Sequence, residues 1–306
     1  MIIAERSSPI WSVAMRRLLL AAAMLGTVSA AHGADMPDLP ILRGSFTDGL
    51  SNSSHNWDGF YVGGQYGFAT TDIDFSHAPK SMTDFMLRDS ILQAPVGGWS
   101  LLPKNHVQST GFGAYVGKNW QVYDAVMGVE ANYSYMDNIS STASDAMSRI
   151  LPGETAPTGH TYTYNTTLGG GASLKLKDYA TFRGRVGWDG GDFMPYGFAG
   201  LAIGRAEVSR FAIVSWQKYD DFDEPVVSGG VTTTVHRHLP AGSDTLSRTE
   251  QRTNSFMYGW TAGIGVEYAF CGNFLLRGEW EHVGFSNVKD ITVGLNNFRA
   301  GLGYKF

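Results

Sequence analysis

The last ten residues of the chain, Asn297-Phe298-Arg299-Ala300-Gly301-Leu302-Gly303-Tyr304-Lys305-Phe306, alternate between two kinds of side chain. Every second residue from Phe298 to Phe306 is apolar, and the residues between them are polar or small. A period of two predicts a β-strand whose two faces meet different surroundings. An apolar face that ends in aromatic residues, opposite a polar face, is typical of a strand in a transmembrane β-barrel.

The same alternation recurs along the chain and predicts seven more strands, at residues 57–69, 110–121, 125–135, 174–188, 194–206, 255–270 and 274–284. Short turns alternate with long polar segments, which are residues 70–109, 136–173 and 207–254. An even strand count with short turns at one rim and long loops at the other is typical of outer-membrane barrels. The sequence therefore predicts an all-β fold, an eight-stranded antiparallel up-and-down transmembrane β-barrel with long extracellular loops. Apparent strand pieces at 161–167 and 230–238 predict that some strands continue above the membrane as hairpins.

The N-terminal residues have the features of a secretory signal. Arg16 and Arg17 precede a short apolar run at 18–26, and small residues follow. This pattern predicts a signal peptide over residues 1–33, cleaved after Gly33 or, as a second choice, after Ala30. Met15 directly precedes the arginines, so residues 1–14 form an N-terminal extension if translation begins at Met15. The polar residues 34–56 are predicted to be a periplasmic leader, and residues 57–306 the barrel.

The composition excludes several classes of protein. A mean hydropathy of −0.13 argues against a helical membrane protein, and a net charge of −5 gives no electrostatic support for a nucleic-acid partner. The chain has one cysteine, Cys271, so no intramolecular disulfide can form. The stability of the fold must then come from elsewhere, and complete backbone pairing in lipid would supply it.

The inward rows of the predicted strands carry charges of both signs. The predicted interior charge network consists of Glu130, Arg183, Arg185, Glu267, Arg277, Glu279 and Arg299, and Lys305 lies in the same row of the last strand. Unpaired charge in a narrow lumen is costly, so these groups are expected to pair. Eight strands leave an interior that side chains can fill, which favours a plug that holds the barrel together. The alternative is a narrow polar pathway for small solutes.

Other polar residues outside the inward rows have the chemistry of catalytic or ligating groups. His282 is the one histidine in the predicted strands, and its parity with Trp280 places it on the outer face. The pair in His236-Arg237-His238 has spacing that suits a metal or haem, but an exposed loop pair is more often solvated. The acidic run Asp220-Asp221-Phe222-Asp223-Glu224 lacks the spacing and glycine of a calcium loop, so a solvated acidic loop is expected there. The sequence therefore predicts no enzyme activity, no catalytic residue, no cofactor and no metal site.

Three stretches resemble one known family. Trp57-Asp58-Gly59-Phe60-Tyr61-Val62-Gly63-Gly64 resembles the opening strand of the small outer-membrane proteins of alpha-proteobacteria, the outer membrane immunogenic protein family, which is often labelled porin. Thr181-Phe182-Arg183-Gly184-Arg185-Val186-Gly187-Trp188, followed by Pro195-Tyr196-Gly197, resembles its fourth and fifth strands, and residues 299–306 resemble its closing strand. The resemblance covers residues 57–306 but not the loops.

The resemblance implies a location in the outer membrane of a Gram-negative cell. It implies contact with outer-membrane lipid, lipopolysaccharide and the outer-membrane assembly machinery, with Tyr304 and Phe306 as the assembly signal. The expected function is envelope integrity and surface interaction, with host or other surface ligands bound by the loops. The alternatives are a narrow porin-like channel for small solutes and loop-mediated adhesion or haem binding.

Overall fold

The structure is a computed structural model that describes residues 55–306. The predicted signal peptide (1–33) and nearly all of the predicted leader (34–56) lie outside the described residues. Within residues 55–306 there are eight strands, β1 (Gly59–Asp74), β2 (Lys104–Val122), β3 (Ala125–Pro152), β4 (His160–Trp188), β5 (Phe193–Ser228), β6 (Val231–Phe270), β7 (Phe274–Val288) and β8 (Ile291–Lys305). Two short helices, α1 (Lys80–Met86) and α2 (Gln93–Gly97), lie between β1 and β2. Neither described helix has the length and apolar character needed to cross a membrane.

Each strand pairs antiparallel with the next, and β8 pairs with β1 to close the barrel. The eight-stranded, closed antiparallel barrel predicted from the alternation is therefore confirmed. Predicted strand one begins two residues too early, because Trp57 lies outside β1 and folds across the lower end of the barrel. Its indole Nε1 donates hydrogen bonds to Asp189 Oδ1 and the Gly191 carbonyl, both at 3.1 Å.

The two faces of each strand differ as the alternation predicts. In β8, Phe298 and Leu302 are 66% and 59% exposed on the outside, whereas Arg299 is 5% exposed inside. A band of exposed apolar side chains continues round the outer wall, and it includes Phe60, Phe112, Val129, Phe182, Leu201, Ile264 and Leu276. In water this surface would be costly, so it is the face that contacts lipid hydrocarbon.

The predicted long loops at 136–173 and 207–254 are mostly strand, so their assignment as loops was wrong. β3 and β4 continue to a connection at residues 153–159, and β5 and β6 continue to a turn at Gly229 and Gly230. Both turn glycines have positive φ, 60° and 80°, a conformation that glycine adopts without steric cost. The strand pieces within these segments belong to the extensions, as expected.

Four strands rise beyond the closed barrel. Pairing of β2 with β3 stops at Thr110↔Asp137, and pairing of β7 with β6 stops at Gly259↔Phe285. Above these levels β3, β4, β5 and β6 remain paired and form what we call the extracellular sheet. Beyond the last β4 pair, His160↔Phe222, only β5 and β6 continue, as a two-stranded ribbon.

Register shifts separate the barrel from the extracellular sheet. They fall between Tyr135 and Ile139 in β3, between Leu176 and Asp178 in β4, and next to Ala206/Val208 where β5 pairs with β6. A β-bulge inserts an extra residue and so changes which parity of residue faces inward. Below the bulge in β4 the inward residues include Arg183, and above it they are Leu176 and Leu174. The interior thus changes from charged to apolar at this height.

Candidate functional site

The candidate site is the filled interior of the barrel together with the extracellular sheet above it. The interior has three layers. Trp57, Met194 and Leu275 belong to an apolar and aromatic layer at the lower end, and a charged layer lies above it. A larger apolar layer fills the upper end, where the segment between β1 and β2 folds inward. That layer includes Phe75, Leu87, Leu92, Val96, Leu101, Leu168, Leu176 and Val214.

All seven residues of the predicted charge network lie inside the barrel, in the charged layer. β7 contributes an additional carboxylate, Glu281, which the predicted network did not include. The layer therefore contains four carboxylates and four guanidinium groups, whose formal charges cancel. Each of these side chains is 5% exposed or less.

Several of the ion pairs cross the lumen and join strands that are not neighbours. Arg277 binds Glu130 with both terminal nitrogens, at 2.8 and 3.1 Å. Arg185 binds Glu267 in the same two-pronged way, at 2.8 and 3.0 Å. Such paired contacts are stronger and more directional than single ones. Because β7 and β3 are not adjacent in the sheet, the Arg277–Glu130 pair ties opposite walls together.

Two further arginines complete the layer. Arg183 binds Glu130 and Glu279, the latter at 2.6 Å. Arg299 binds Glu279 at 2.8 Å and Glu281 at 3.0 Å. Arg183 thereby links the pairs made by Arg277 to those made by Arg299, and the eight groups form one connected network.

Aromatic side chains enclose the charged layer, and the sequence reasoning did not include them in the site. The guanidinium carbons of Arg277, Arg185 and Arg183 lie 3.7, 3.9 and 4.0 Å from the ring centroids of Tyr115, Tyr196 and Phe198 respectively. Such cation–π contacts stabilise a desolvated cation. The hydroxyl groups of Tyr61 and Tyr196 donate to Glu130 and Glu279, at 2.8 and 2.7 Å.

Inward glycines make room for these rings. Tyr115 pairs across the strands with Gly63, and Tyr61 pairs with Gly117. A Cβ at Gly63 would lie 2.3 Å from the Tyr115 ring, and one at Gly117 would lie 2.2 Å from the Tyr61 hydroxyl. The recurrence of glycine opposite an inward tyrosine is the sequence signal that could have identified the aromatic layer, but it requires the strand register.

The remaining space inside the charged layer is small. The gap among Gln65, Ser134, Asn297 and Arg299 measures about 10 Å³, roughly the volume that one water molecule requires. Larger hollows lie on the outer wall, such as the 660 Å³ groove beside Phe68, Trp280 and Phe298. Because that groove borders the apolar band, it faces lipid rather than the lumen.

Arg210 fastens the segment between β1 and β2 into the upper end. Its guanidinium donates to the Ala78 carbonyl at 2.8 Å, to Ser81 Oγ at 3.0 Å and to the Lys289 carbonyl at 2.8 Å. It also pairs with Glu250 at 2.7 Å and with Asp290 at 3.0 Å. We call these contacts the Arg210 clasp; they join β5 and β6 to the β7–β8 turn and to α1.

The carboxylates of the clasp resist protonation. Hydrogen bonds from Lys289 and then Arg210 lower the pKa of Glu250 to about 2. The pKa of Asp290 is also lowered, because the hydrogen bonds from Ser81 and Arg210 outweigh the opposing effect of its burial. Both groups therefore remain charged at pH values where an ordinary carboxylate is half protonated.

The three histidines considered as candidate ligands or catalytic groups lie outside the charged layer. His282 faces outward, with Nδ1 2.8 Å from Asn296 Oδ1. His236 and His238 lie on the ribbon, and each contacts a carboxylate of the acidic run on β5. The acidic run is therefore paired strand, which corrects its interpretation as a solvated loop. Cys271 is exposed in the turn between β6 and β7.

Tyr304 and Phe306, the predicted assembly signal, lie at the lower end of β8. Both side chains point outward, and their rings pack edge to face with centroids 5.2 Å apart. Phe306 also donates its backbone N–H to the Phe60 carbonyl at 2.8 Å, which holds the chain end against β1. Their role in assembly stays a prediction.

The chain is similar to known outer-membrane proteins. The family model described as "Outer membrane protein beta-barrel domain" matches residues 18–306. The chain is 25% identical over 260 residues to the "22 kDa outer membrane protein" of Rhizobium leguminosarum bv. viciae, covering 82% of this chain and 79% of the relative. It is 24% identical over 305 residues to the "31 kDa outer-membrane immunogenic protein" of Brucella melitensis, covering 95% of this chain and the whole relative.

Solved structures give weaker similarity. Ail, the attachment invasion locus protein of Yersinia pestis, has a TM-score of 0.33 and 14% identity, with 81% of this chain and 99% of that chain covered. Neisserial surface protein A has a TM-score of 0.32 and 15% identity, with 81% and 97% covered.

Removing one carboxylate should show how far the barrel depends on the charged layer. In Glu130→Gln, three arginines lose a charged partner in a site that is buried from solvent, so we expect a loss of about 3–5 kcal/mol in the free energy of unfolding. Glu154→Gln is the control, because Glu154 pairs with Lys218 but its side chain is 43% exposed, and a surface pair contributes about 0–1 kcal/mol. Urea unfolding in lipid vesicles measures both, and equal losses would contradict the interpretation.

The Arg210 clasp should keep the segment between β1 and β2 in place even at low pH. A carboxylate with a lowered folded pKa stabilises the fold above its unfolded pKa, and this contribution is lost as the pH falls through the folded value. The pKa of Glu250 in the folded protein is about 2. Hydrogen exchange of residues 78–101, corrected for intrinsic rates, should therefore stay slow at pH 4 and accelerate as the pH approaches about 2. In Arg210→Met the acceleration should begin at higher pH. The control is Arg252→Met, because Arg252 lies 3.9 Å from Glu250 and is 63% exposed; acceleration at pH 5 in the unmodified protein would contradict the prediction.

Proposed function

The chain belongs to the outer membrane protein β-barrel domain family, and we propose that its barrel is a closed, non-conducting anchor that holds the extracellular sheet at the cell surface. The observation that carries this proposal is the filled interior. An apolar layer, a network of eight charged groups and a second apolar layer follow one another along the barrel axis. An anchor of this kind adds strength to the envelope without opening its permeability barrier.

The filled interior argues against the narrow channel. A solute would have to displace Trp57 at the lower end, separate ion pairs such as Arg277–Glu130, and release the segment held by Arg210. Breaking one buried ion pair costs roughly 3–5 kcal/mol, and the network contains several. No free charged group is left in the charged layer to define a path for ions.

The extracellular sheet is the part of the protein that can meet a partner outside the cell. Because β6 pairs with β7 only from Gly259 onward, the edge of β6 above that point has no strand neighbour among the described residues. An unpaired edge presents backbone N–H and carbonyl groups that an extended peptide can bind. Residues 243–252 give ten consecutive positions without proline or glycine on this edge. We assign surface contact to this edge and to the ribbon.

Planar-bilayer recording tests the closed barrel. The mature protein, refolded and verified by its heat-modifiable gel shift, should give no stepwise conductance. A variant in which a Gly/Ser linker replaces residues 78–101 should also remain silent, because the charged layer below stays filled. Steady single-channel steps from the unmodified protein would overturn the anchor and favour a channel; steps from the variant alone would show that the upper segment provides the seal.

Display on a non-adherent Gram-negative host tests surface contact. Cells displaying the full barrel should bind to cultured epithelial cells or to immobilised matrix proteins above the background of empty cells. Replacing residues 219–241 by Asn-Gly removes the ribbon and the last β5 residues that pair with β4, and it leaves the barrel intact. Binding should fall, because only the edge at 243–252 remains. Replacing the short turn 271–273 by Asn-Gly-Lys, at the opposite end, is the matched control and should leave binding unchanged. Unchanged binding after ribbon removal, or no binding by the full barrel, would refute this part of the proposal.

A further inference from the structure

At the base of the ribbon, where the pairing with β4 ends, two histidines and two aspartates lie on one face. Asp221 pairs directly with His238 across the strands, and Asp223 pairs with His236. Residues two apart on a strand share a face, so the four side chains occupy the corners of a square. Phe222 and Arg237, which lie between them, pair with each other and point to the opposite face.

One carboxylate is within reach of both imidazoles. Asp221 contacts Nδ1 of His238, and its Oδ1 lies 3.8 Å from Nε2 of His236. The second carboxylate, Asp223, lies 2.9 Å from Nδ1 of His236. The other two histidine–carboxylate pairs of the extracellular region, His106–Asp72 and His160–Asp220, each join a single histidine to a single aspartate.

Neighbouring side chains orient these groups. The Tyr219 ring stacks on His238, with centroids 4.1 Å apart and planes inclined by 16°. Thr163 of β4 donates a hydrogen bond to Asp221 Oδ2 at 3.3 Å, which leaves Oδ1 toward the histidines. Outer contacts of this kind fix the direction of metal ligands in known sites.

A simpler interpretation is that these are surface ion pairs that join β5 to β6. Such pairs contribute about 0–1 kcal/mol each, and that interpretation explains two separate pairs. That interpretation does not explain why one aspartate, Asp221, lies within reach of two histidines. In the described part of the chain no three ligating side chains are already gathered around one point, so an ion would have to draw them together. The His236 side chain is 67% exposed, and its Nε2 already lies 3.8 Å from Asp221 Oδ1.

We propose that His236, His238 and Asp221 form a binding site for a divalent transition-metal cation on the ribbon, with Asp223 or water as the fourth ligand. Two imidazoles and a carboxylate suit Zn²⁺ or Cu²⁺, whereas Ca²⁺ and Mg²⁺ prefer all-oxygen sites. The bound cation would join β5 and β6 at the base of the ribbon.

Calorimetry on the mature protein, refolded in detergent, tests the proposal with Zn²⁺ as the probe. We expect saturable binding of one Zn²⁺ per chain and no binding of Ca²⁺ under the same conditions. The double variant His236→Ala/His238→Ala should abolish this binding, and Asp221→Asn should weaken it at least about tenfold. His160→Ala is the matched control, since it removes a histidine–aspartate pair from the opposite face of the same sheet, and it should bind Zn²⁺ as the unmodified protein does.

Electron paramagnetic resonance of the Cu²⁺ form gives a second measurement, which reports the number of imidazole ligands and not the affinity. Hyperfine coupling to two imidazole nitrogens is expected in the unmodified protein and in His160→Ala, and to one in His236→Ala. The heat-modifiable gel shift verifies that each variant is folded. Unchanged Zn²⁺ binding in the double variant, absence of saturable binding by the unmodified protein, or equal binding of Ca²⁺ would each overturn the site.

Discussion

Mutual neutralisation of four arginines and four glutamates inside the barrel is the interaction on which the rest of the structure depends. An eight-stranded barrel has an interior that side chains must fill, and its exterior must be apolar to lie in lipid. If the interior were apolar too, a strand shifted by one residue would fit almost as well. A charged interior removes that ambiguity, because turning Arg185 outward would place it against hydrocarbon at a cost of roughly 2–4 kcal/mol near the midplane. The network thus specifies which face of each strand is inside.

This constraint explains why the membrane-embedded part could be predicted from the sequence. In β8 and β3 the two rows differ so strongly that alternation alone identifies the strands, their faces and most of the inward charges. The pairing of particular charges could not be predicted in this way, because Arg277 meets Glu130 across the lumen rather than along the sheet. The aromatic enclosure was missed for a similar reason: Tyr115 and Gly63 become partners only when the register of β1 against β2 is known.

In the upper half of the molecule the polar and apolar faces of the strands are exchanged, and for that reason the sequence indicated loops there. Above the membrane the outside is water and the inside is an apolar core, so the polarity of the two faces inverts. In β4 this inversion is made by the bulge after Leu176: Arg183 faces inward below it, and Leu174 faces inward above it while Lys175 faces water. The alternation changes phase at the bulge, and a search for continuous rows with an apolar outer face ends there. The ribbon lacks a core altogether, so neither of its faces gives an apolar row.

The inversion also determines what the two halves can do. Within the membrane the charged layer is satisfied by its own members, and little space or free charge is left for a ligand. Above the membrane the apolar core needs a cover, and the segment between β1 and β2 supplies it, fastened by Arg210. Once β1, β2, β7 and β8 have ended, the four remaining strands have a core on one face and, among the described residues, no paired strand at either edge. Backbone N–H and carbonyl groups along the edges of the sheet and its ribbon are therefore the groups that remain available for hydrogen bonding outside the membrane.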